Sequence, residues 1–201
     1  VEEGTALLEK DFSAVTGQLS WADGDTGDKT IVIPLVNDDL VEPQKAFSVR
    51  LTAVTGAPGK LPVIGQDVVV IHLEDDDRFG ALSFTSPDFF VNENSGQFVV
   101  TVVREYGTAE LVSVDFETTP GSASEVVDFV PERGTLEFLP GQLNATFIVP
   151  VKDDDIPEGP ETINLILTSP KPIRDDGERA ILGTPNMATL TVLDNETINE
   201  P

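Results

Sequence analysis

Residues 144–158 read Asn144-Ala145-Thr146-Phe147-Ile148-Val149-Pro150-Val151-Lys152-Asp153-Asp154-Asp155-Ile156-Pro157-Glu158. Phe147, Val149 and Val151 fall on every second position, the period of a strand with one buried face, and an acidic run follows them directly. Outward from here the same period returns at Phe98, Val100 and Val102, at Val112, Val114 and Phe116, at Ile163, Leu165 and Leu167, and at Leu190 and Val192. Asn94-Ser95-Gly96, Pro120-Gly121, Pro140-Gly141 and Gly183-Thr184-Pro185 separate these runs with residues suited to the backbone angles of turns. No segment carries a helical stripe, because β-branched runs and closely spaced Pro and Gly break each candidate. The expected class is all-β.

Earlier in the chain the pattern has a second copy. Asp11-Phe12 returns as Asp128-Phe129, and Gly17-Gln18-Leu19-Ser20-Trp21 as Gly134-Thr135-Leu136-Glu137-Phe138, both 117 residues later. Asn37-Asp38-Asp39-Leu40-Val41-Glu42 returns 116 residues later as Asp153-Asp154-Asp155-Ile156-Pro157-Glu158. Leu73-Glu74-Asp75-Asp76-Asp77 answers Leu193-Asp194-Asn195-Glu196, with Asp75 set on Asp194 at an offset of 119. A unit of that length is the size of one β-sandwich. The strands expected in the first copy run through Leu19 and Trp21, through Ile31, Ile33 and Leu35, through Phe47, Val49 and Leu51, and through Val69, Ile71 and Leu73. Residues 81–117 have no counterpart in this chain. The expected domains are therefore 1–79, a repeat lacking its N-terminal strands and leaving unpaired edges and an uncovered apolar face, and 80–201, a complete repeat.

The 201 residues include 36 acids and 12 Lys or Arg, a net charge of -24 and a pI near 4.1. A polyanion meets repulsion on such a chain, so nucleic acid is excluded as a partner, and direct membrane insertion is not expected of it. At 39% hydrophobic it still builds a core. Cysteine is absent and His72, the one histidine, sits in the β-branched run 68–73 as a structural strand residue. Neither a Gly-x-Ser-x-Gly elbow, a phosphate-cradling glycine loop nor a His-Glu-x-x-His occurs, so the reading is not an enzyme. No apolar stretch is long enough to span a bilayer, and Val1-Glu2-Glu3-Gly4 does not read as a signal peptide.

The chemistry lies in the recurring acids. Each copy has an Asp-Phe pair in a loop, an [Asn/Asp]-Asp-Asp-x-x-Glu stretch after a strand, and an acidic cluster after its last strand. If the loops converge at one end of a sandwich, each like-charge pair at about 4 Å costs on the order of 4 kcal/mol at an effective dielectric near 20, which calls for a compensating cation. Calcium takes six to eight oxygens in flexible geometry, whereas zinc and copper lack their preferred ligands here.

Taken together, Val91-Asn92-Glu93-Asn94-Ser95-Gly96, Gly121-Ser122-Ala123 with Asp128-Phe129, Gly134 through Gly141, Asp153 through Glu161, and Leu182-Gly183-Thr184-Pro185 through Glu196 resemble the Calx-beta domain, a family described in sodium-calcium exchangers, an integrin β subunit, large adhesion receptors and bacterial surface proteins. The resemblance implies tandem seven-strand Greek-key, immunoglobulin-like β-sandwiches, the first incomplete, with calcium at one tip. Carried over, it implies calcium ligands Glu93, Asp128, Asp153, Asp154, Glu158, Asp194 and Glu196 in the second repeat, and Asp11, Asp38, Glu42, Asp75, Asp76 and Asp77 in the first. Asn37 departs from the acidic pattern, Lys45 stands where the second repeat has Glu161, Asn195 interrupts the terminal acids, and the counterpart of Glu93 is missing from the first repeat. The function so implied is a calcium-binding repeated module of an extracellular or cell-surface protein, a calcium-stiffened spacer in adhesion or cell communication. Its partners would be calcium ions, neighbouring repeats and a protein or cell-surface ligand. A calcium sensor within a membrane transporter, and a calcium-free spacer, are the other readings.

Overall fold

Alternation of side chains decides the architecture, since each strand from residue 81 onward has one apolar edge to bury and the edges close on one another. The computed structural model describes residues 1–56, 59, 62–175 and 177–196. They divide into two compact units, the first made of Val1–Asp38 with Glu42–Asp76, the second of Asp39–Val41 with the chain from Asp77 on. There is no α-helix among the described residues.

Unit 2 is a sandwich of two sheets. One has four strands in the order β10 (Ile181–Leu182), β3 (Ala81–Phe84), β5 (Gln97–Glu105), β8 (Asn144–Pro150). The other has five in the order β4 (Asp88–Asn92), β11 (Met187–Leu193), β9 (Glu161–Lys171), β6 (Val112–Pro120), β7 (Arg133–Phe138). β3 and β4 are one strand that changes sheets across Thr85-Ser86-Pro87, and β10 and β11 do the same across Gly183-Thr184-Pro185-Asn186, so the nine segments amount to the seven strands of an immunoglobulin-like sandwich. Proline and glycine at these crossings interrupt the ladder where the strand must leave it. Between the sheets lie the alternating residues, among them Val100, Val102, Val114, Val149, Ile163, Leu165, Leu167 and Leu190, all fully buried. Phe116 stacks on Phe147 from the opposite sheet at 4.0 Å between ring centroids.

Arg104 also belongs to the inward register, two residues after Val102, and only 1% of it is exposed. Its guanidinium donates to the carbonyls of Phe79 at 2.9 Å, Glu110 at 3.1 Å, Leu139 at 3.4 Å and Ala109. A planar, five-donor fork suits four carbonyls that loops leave without strand partners. Burial pushes its pKa down.

Unit 1 has two strands among its described residues, β1 (Lys45–Arg50) and β2 (Val68–Leu73), paired antiparallel with Lys45 opposite Leu73. Phe12 stacks on Phe47 at 4.2 Å over a small core with Ala6. The strands expected through Leu19 and Trp21 and through Ile31–Leu35 do not form; only Leu35 makes a bridge, to Phe12. The cause is pairing. Their counterparts β7 and β8 lie against β6 and β5, and the described residues of unit 1 include no counterpart of β5 or of most of β6. Without a ladder to join, the apolar side chains stay out, Trp21 at 50% and Leu35 at 60% exposed. His72 is on β2 and exposed.

Below the strands, the repeat is visible atom by atom. Gly4 and Gly121 each approach a carbonyl, of Ala46 and Thr162, so closely that a Cβ would sit 2.5 and 2.6 Å from its oxygen. Glu9 and Val126 both adopt a left-handed φ, 61° and 73°, and each donates its N–H at 2.8 Å to the carbonyl of the phenylalanine three residues on.

Candidate metal centre

Strand register brings the acids of unit 2 to one tip. β4 and β11 run parallel and end there together, with Asn92 opposite Leu193, while β9 starts there with Glu161 opposite Val192. In the other sheet β5 begins where β8 ends, Gln97 opposite Pro150. Every acid immediately beyond these strand ends must therefore share the tip. Glu93 sits on a short 3-10 turn, Glu93–Ser95, closed by Gly96 in the left-handed conformation. Asp128 is fixed in its loop by accepting the Ser124 N–H on Oδ2 at 2.6 Å.

Two groups of three carboxylates result. Glu93, Asp153 and Glu196 offer oxygens within 4.8 Å of one another, and so do Asp128, Glu158 and Glu161. Glu93 is 8% exposed, and its Oε1, like Oε2 of Glu196, is buried with no hydrogen-bond partner. Asp194 serves differently: Oδ2 accepts the Glu158 N–H at 2.6 Å and Oδ1 the Glu196 N–H at 2.8 Å, so it ties a residue of each group to one carboxylate. Asp154 accepts the Ile156 N–H at 2.7 Å and belongs to neither group.

Electrostatics follow the crowding. Burial, and then Asp128, Glu158 and Glu93, push Glu161 up to about 7. Its hydrogen bonding with Asp194, then burial and Glu93, push Glu196 up to about 7. Burial and the surrounding acids also raise Glu158, whereas N–H donors, Glu196 first, hold Asp194 below its ordinary value. An unpartnered buried carboxylate oxygen costs free energy unless a cation approaches it. With only oxygen donors in both groups, the donor set fits a hard divalent ion.

Unit 1 builds the same loop with a different ending. Asp11 Oδ2 accepts the Leu7 N–H at 2.6 Å, as Asp128 does from Ser124, and Asp75 Oδ2 accepts the Glu42 N–H at 2.9 Å, as Asp194 does from Glu158. Here, however, the Lys45 ammonium donates to Asp11 Oδ1 at 2.6 Å and to Glu42, whose other oxygen receives Lys10 at 3.1 Å. Burial opposes the charge on Asp11, but the Leu7 N–H and Lys45 outweigh it and hold its carboxyl low; Lys45 does the same for Glu42. Asp75 and Asp76 close unit 1, and Asp77 falls on the other side of the unit boundary. Asp38 joins none of the acidic groups found among the described residues.

Glu161 was not among the acids expected at the tip. Two residues ahead of Ile163, it shares the inward register of β9, and that period-two position was the signal available.

The second unit is thus an immunoglobulin-like sandwich with split outer strands and two groups of three carboxylates at one tip. The Calx-beta domain profile matches residues 1–72 and 75–196, and the chain belongs to that family. It is 30% identical over 200 residues to adhesion G-protein coupled receptor V1 of Danio rerio, spanning 97% of this chain and 3% of the receptor. It is 25% identical over 196 residues to sodium/calcium exchanger 1 of Mus musculus, spanning 90% of this chain and 20% of the exchanger. Extracellular matrix protein 3 of Lytechinus variegatus is 27% identical over 202 residues, 94% of this chain and 6% of that protein. The chain thus spans at most a fifth of these relatives, none of which is named as an enzyme. Among solved structures, the apo form of the Calx CBD1 domain superposes with a TM-score of 0.53 at 35% identity, covering 58% of this chain and 97% of that one. The calcium binding domain CBD12 of CALX1.1 gives 0.51 at 36%, covering 57% and 46%.

Proposed function

We propose that residues 1–79 and 80–201 are tandem Calx-beta repeats of a larger extracellular or cell-surface protein, the first without its early strands, and that the second binds calcium at its tip and acts as a calcium-stiffened spacer in adhesion or cell communication. The observation that carries the reading is the pair of buried, unpartnered oxygens, Glu93 Oε1 and Glu196 Oε2, in a group with Asp153. Glu93, Asp153 and Glu196 would hold one ion and Asp128, Glu158 and Glu161 a second, with Asp194 and Asp154 fixing the loops between them. The name of the CALX1.1 neighbour and the likeness to a receptor and a matrix protein support it. The proposal rests on the second repeat, since in the first Asp11 and Glu42 already hold an ammonium.

Calcium at 100 times its dissociation constant contributes about 2.7 kcal/mol to the folded state, which raises the melting temperature by about 5–10 °C. Calorimetry in calcium and in chelator reads this directly. Coincident melts would leave a calcium-free spacer. The likeness to an exchanger favours a second reading, a regulatory sensor inside a transporter; calcium-dependent change in transport by the full-length parent protein would select it over the spacer.

A further inference from the structure

We propose that Lys45 is a built-in cation that closes the first unit's cluster to calcium, so that one residue, Lys45 against Glu161, separates an ion-independent tip from an ion-dependent one. The inference deepens the calcium reading of unit 2 and rests on it. Asp11, Glu42 and Lys45 occupy the positions of Asp128, Glu158 and Glu161, at offsets of 117, 116 and 116. The equivalence is structural as well, because the Leu7 and Ser124 amides donate to the two aspartates at the same 2.6 Å, and the Glu42 and Glu158 amides donate to Asp75 and Asp194.

What differs is the sign of the third charge. In unit 2 three carboxylates face one another, a formal charge of about -3 when ionised. In unit 1 an ammonium stands against two, its side chain only 15% exposed and that of Asp11 6%, bridging both acids at once. An exposed Lys-Glu pair is an ordinary surface contact worth little. A shielded ammonium on two carboxylates, at the place where the other copy has a third, is a cluster with its counter-ion supplied by the chain. A divalent ion entering beside it meets a positive charge at contact distance and finds two acids already committed. The counterpart of Asp153 is Asn37, so the neighbouring position offers a neutral oxygen and no compensating carboxylate.

The test is a calcium titration of the isotope-labelled full chain, followed at the Leu7, Glu42, Ser124 and Glu158 amides, with calorimetric stoichiometry alongside. In the unchanged protein Ser124 and Glu158 move and Leu7 and Glu42 stay still. In Lys45→Glu, Leu7 and Glu42 become responsive and one further ion binds per chain. In Glu161→Lys, Ser124 falls silent. If Lys45→Glu does not fold, Lys45→Gln, which removes the ammonium without adding charge, must give the Leu7 response at higher calcium. A Leu7 shift in the unchanged chain with the same midpoint as Ser124 overturns the inference, as does a folded Lys45→Glu whose Leu7 ignores calcium. Silence of Ser124 and Glu158 in the unchanged chain would instead sink the calcium reading of unit 2, leaving Lys45 to be judged by its own variants.

Discussion

At the scale of single residues, the two tips differ in the direction their acids are pushed, and this makes opposite predictions for pH. Glu161 and Glu196 are raised from an ordinary 4.5 to about 7, so the folded chain holds their protons more tightly than the unfolded one. Without a cation, their contribution to unit 2 is complete below the ordinary value and is lost as pH climbs through about 7. Asp11 and Glu42 are lowered, so their contribution to unit 1 is present above the ordinary carboxylate range and is lost as pH falls below it. Denaturation in chelator, read by resonances of each unit at about pH 5 and about pH 7.5, should show unit 2 weakening and unit 1 holding over that interval; saturating calcium should flatten the change in unit 2. Glu93→Gln should have two signs. In chelator it removes a buried unpartnered charge and stabilises unit 2, while in calcium it weakens binding by roughly tenfold, about 1.4 kcal/mol. An isothermal titration and a melt on the same variant check both, and destabilisation in chelator would count against the orphaned oxygen as the reason for the site. The acids after each strand were legible in the sequence as charge in the wrong amount for a loop. Glu161 was legible only through its period-two step from Ile163, whereas which acids meet, and that Asp154 turns to Ile156, depends on side-chain direction at the tip and was not legible.

Among the elements, β5 carries the instructive exception. Its alternation is apolar at Val100 and Val102 and then places Arg104 inside, where a pattern of hydrophobicity reads a strand end. The guanidinium instead collects four carbonyls from the loops at residues 79, 109, 110 and 139, holding together segments that no ladder joins. Arg104→Met should take the donor from the carbonyls of Phe79, Ala109 and Glu110, Leu139 keeping the Gln142 N–H at 2.9 Å, and cost about 3 kcal/mol, seen as a lower urea midpoint at unchanged slope. Arg104→Lys should recover little, because an ammonium cannot reproduce the fork. A loss under about 0.5 kcal/mol for the methionine variant would show that water reaches the carbonyls.

Over the whole molecule, strand formation tracks the presence of a partner strand more closely than it tracks sequence pattern. Leu19-Ser20-Trp21 and Ile31–Leu35 carry the same alternation as Leu136-Glu137-Phe138 and Phe147–Val151, yet only the later copies are strands. Amide hydrogen exchange should therefore be slow through 134–138 and 145–150 and fast through 17–21 and 30–35, by at least about tenfold; equal protection in the two copies would mean the early residues find a ladder in solution. The period of two, the turn residues and the offsets of 116 to 119 by themselves determined that the chain is all-β, that it repeats, and where its acids cluster, because these are local properties that each short stretch carries. Tertiary structure alone decided that the first copy's alternating runs stay unpaired, that the outer strands divide between sheets, that Arg104 belongs to the core, that the Lys45 ammonium meets Asp11 and Glu42 where the second copy gathers a third carboxylate, and that Glu93 Oε1 is buried without a partner. Each of these turns on which backbone or charge arrives from a distant part of the chain, and a strand's hydrogen bonds and a carboxylate's counter-charge are both supplied from outside the segment that needs them.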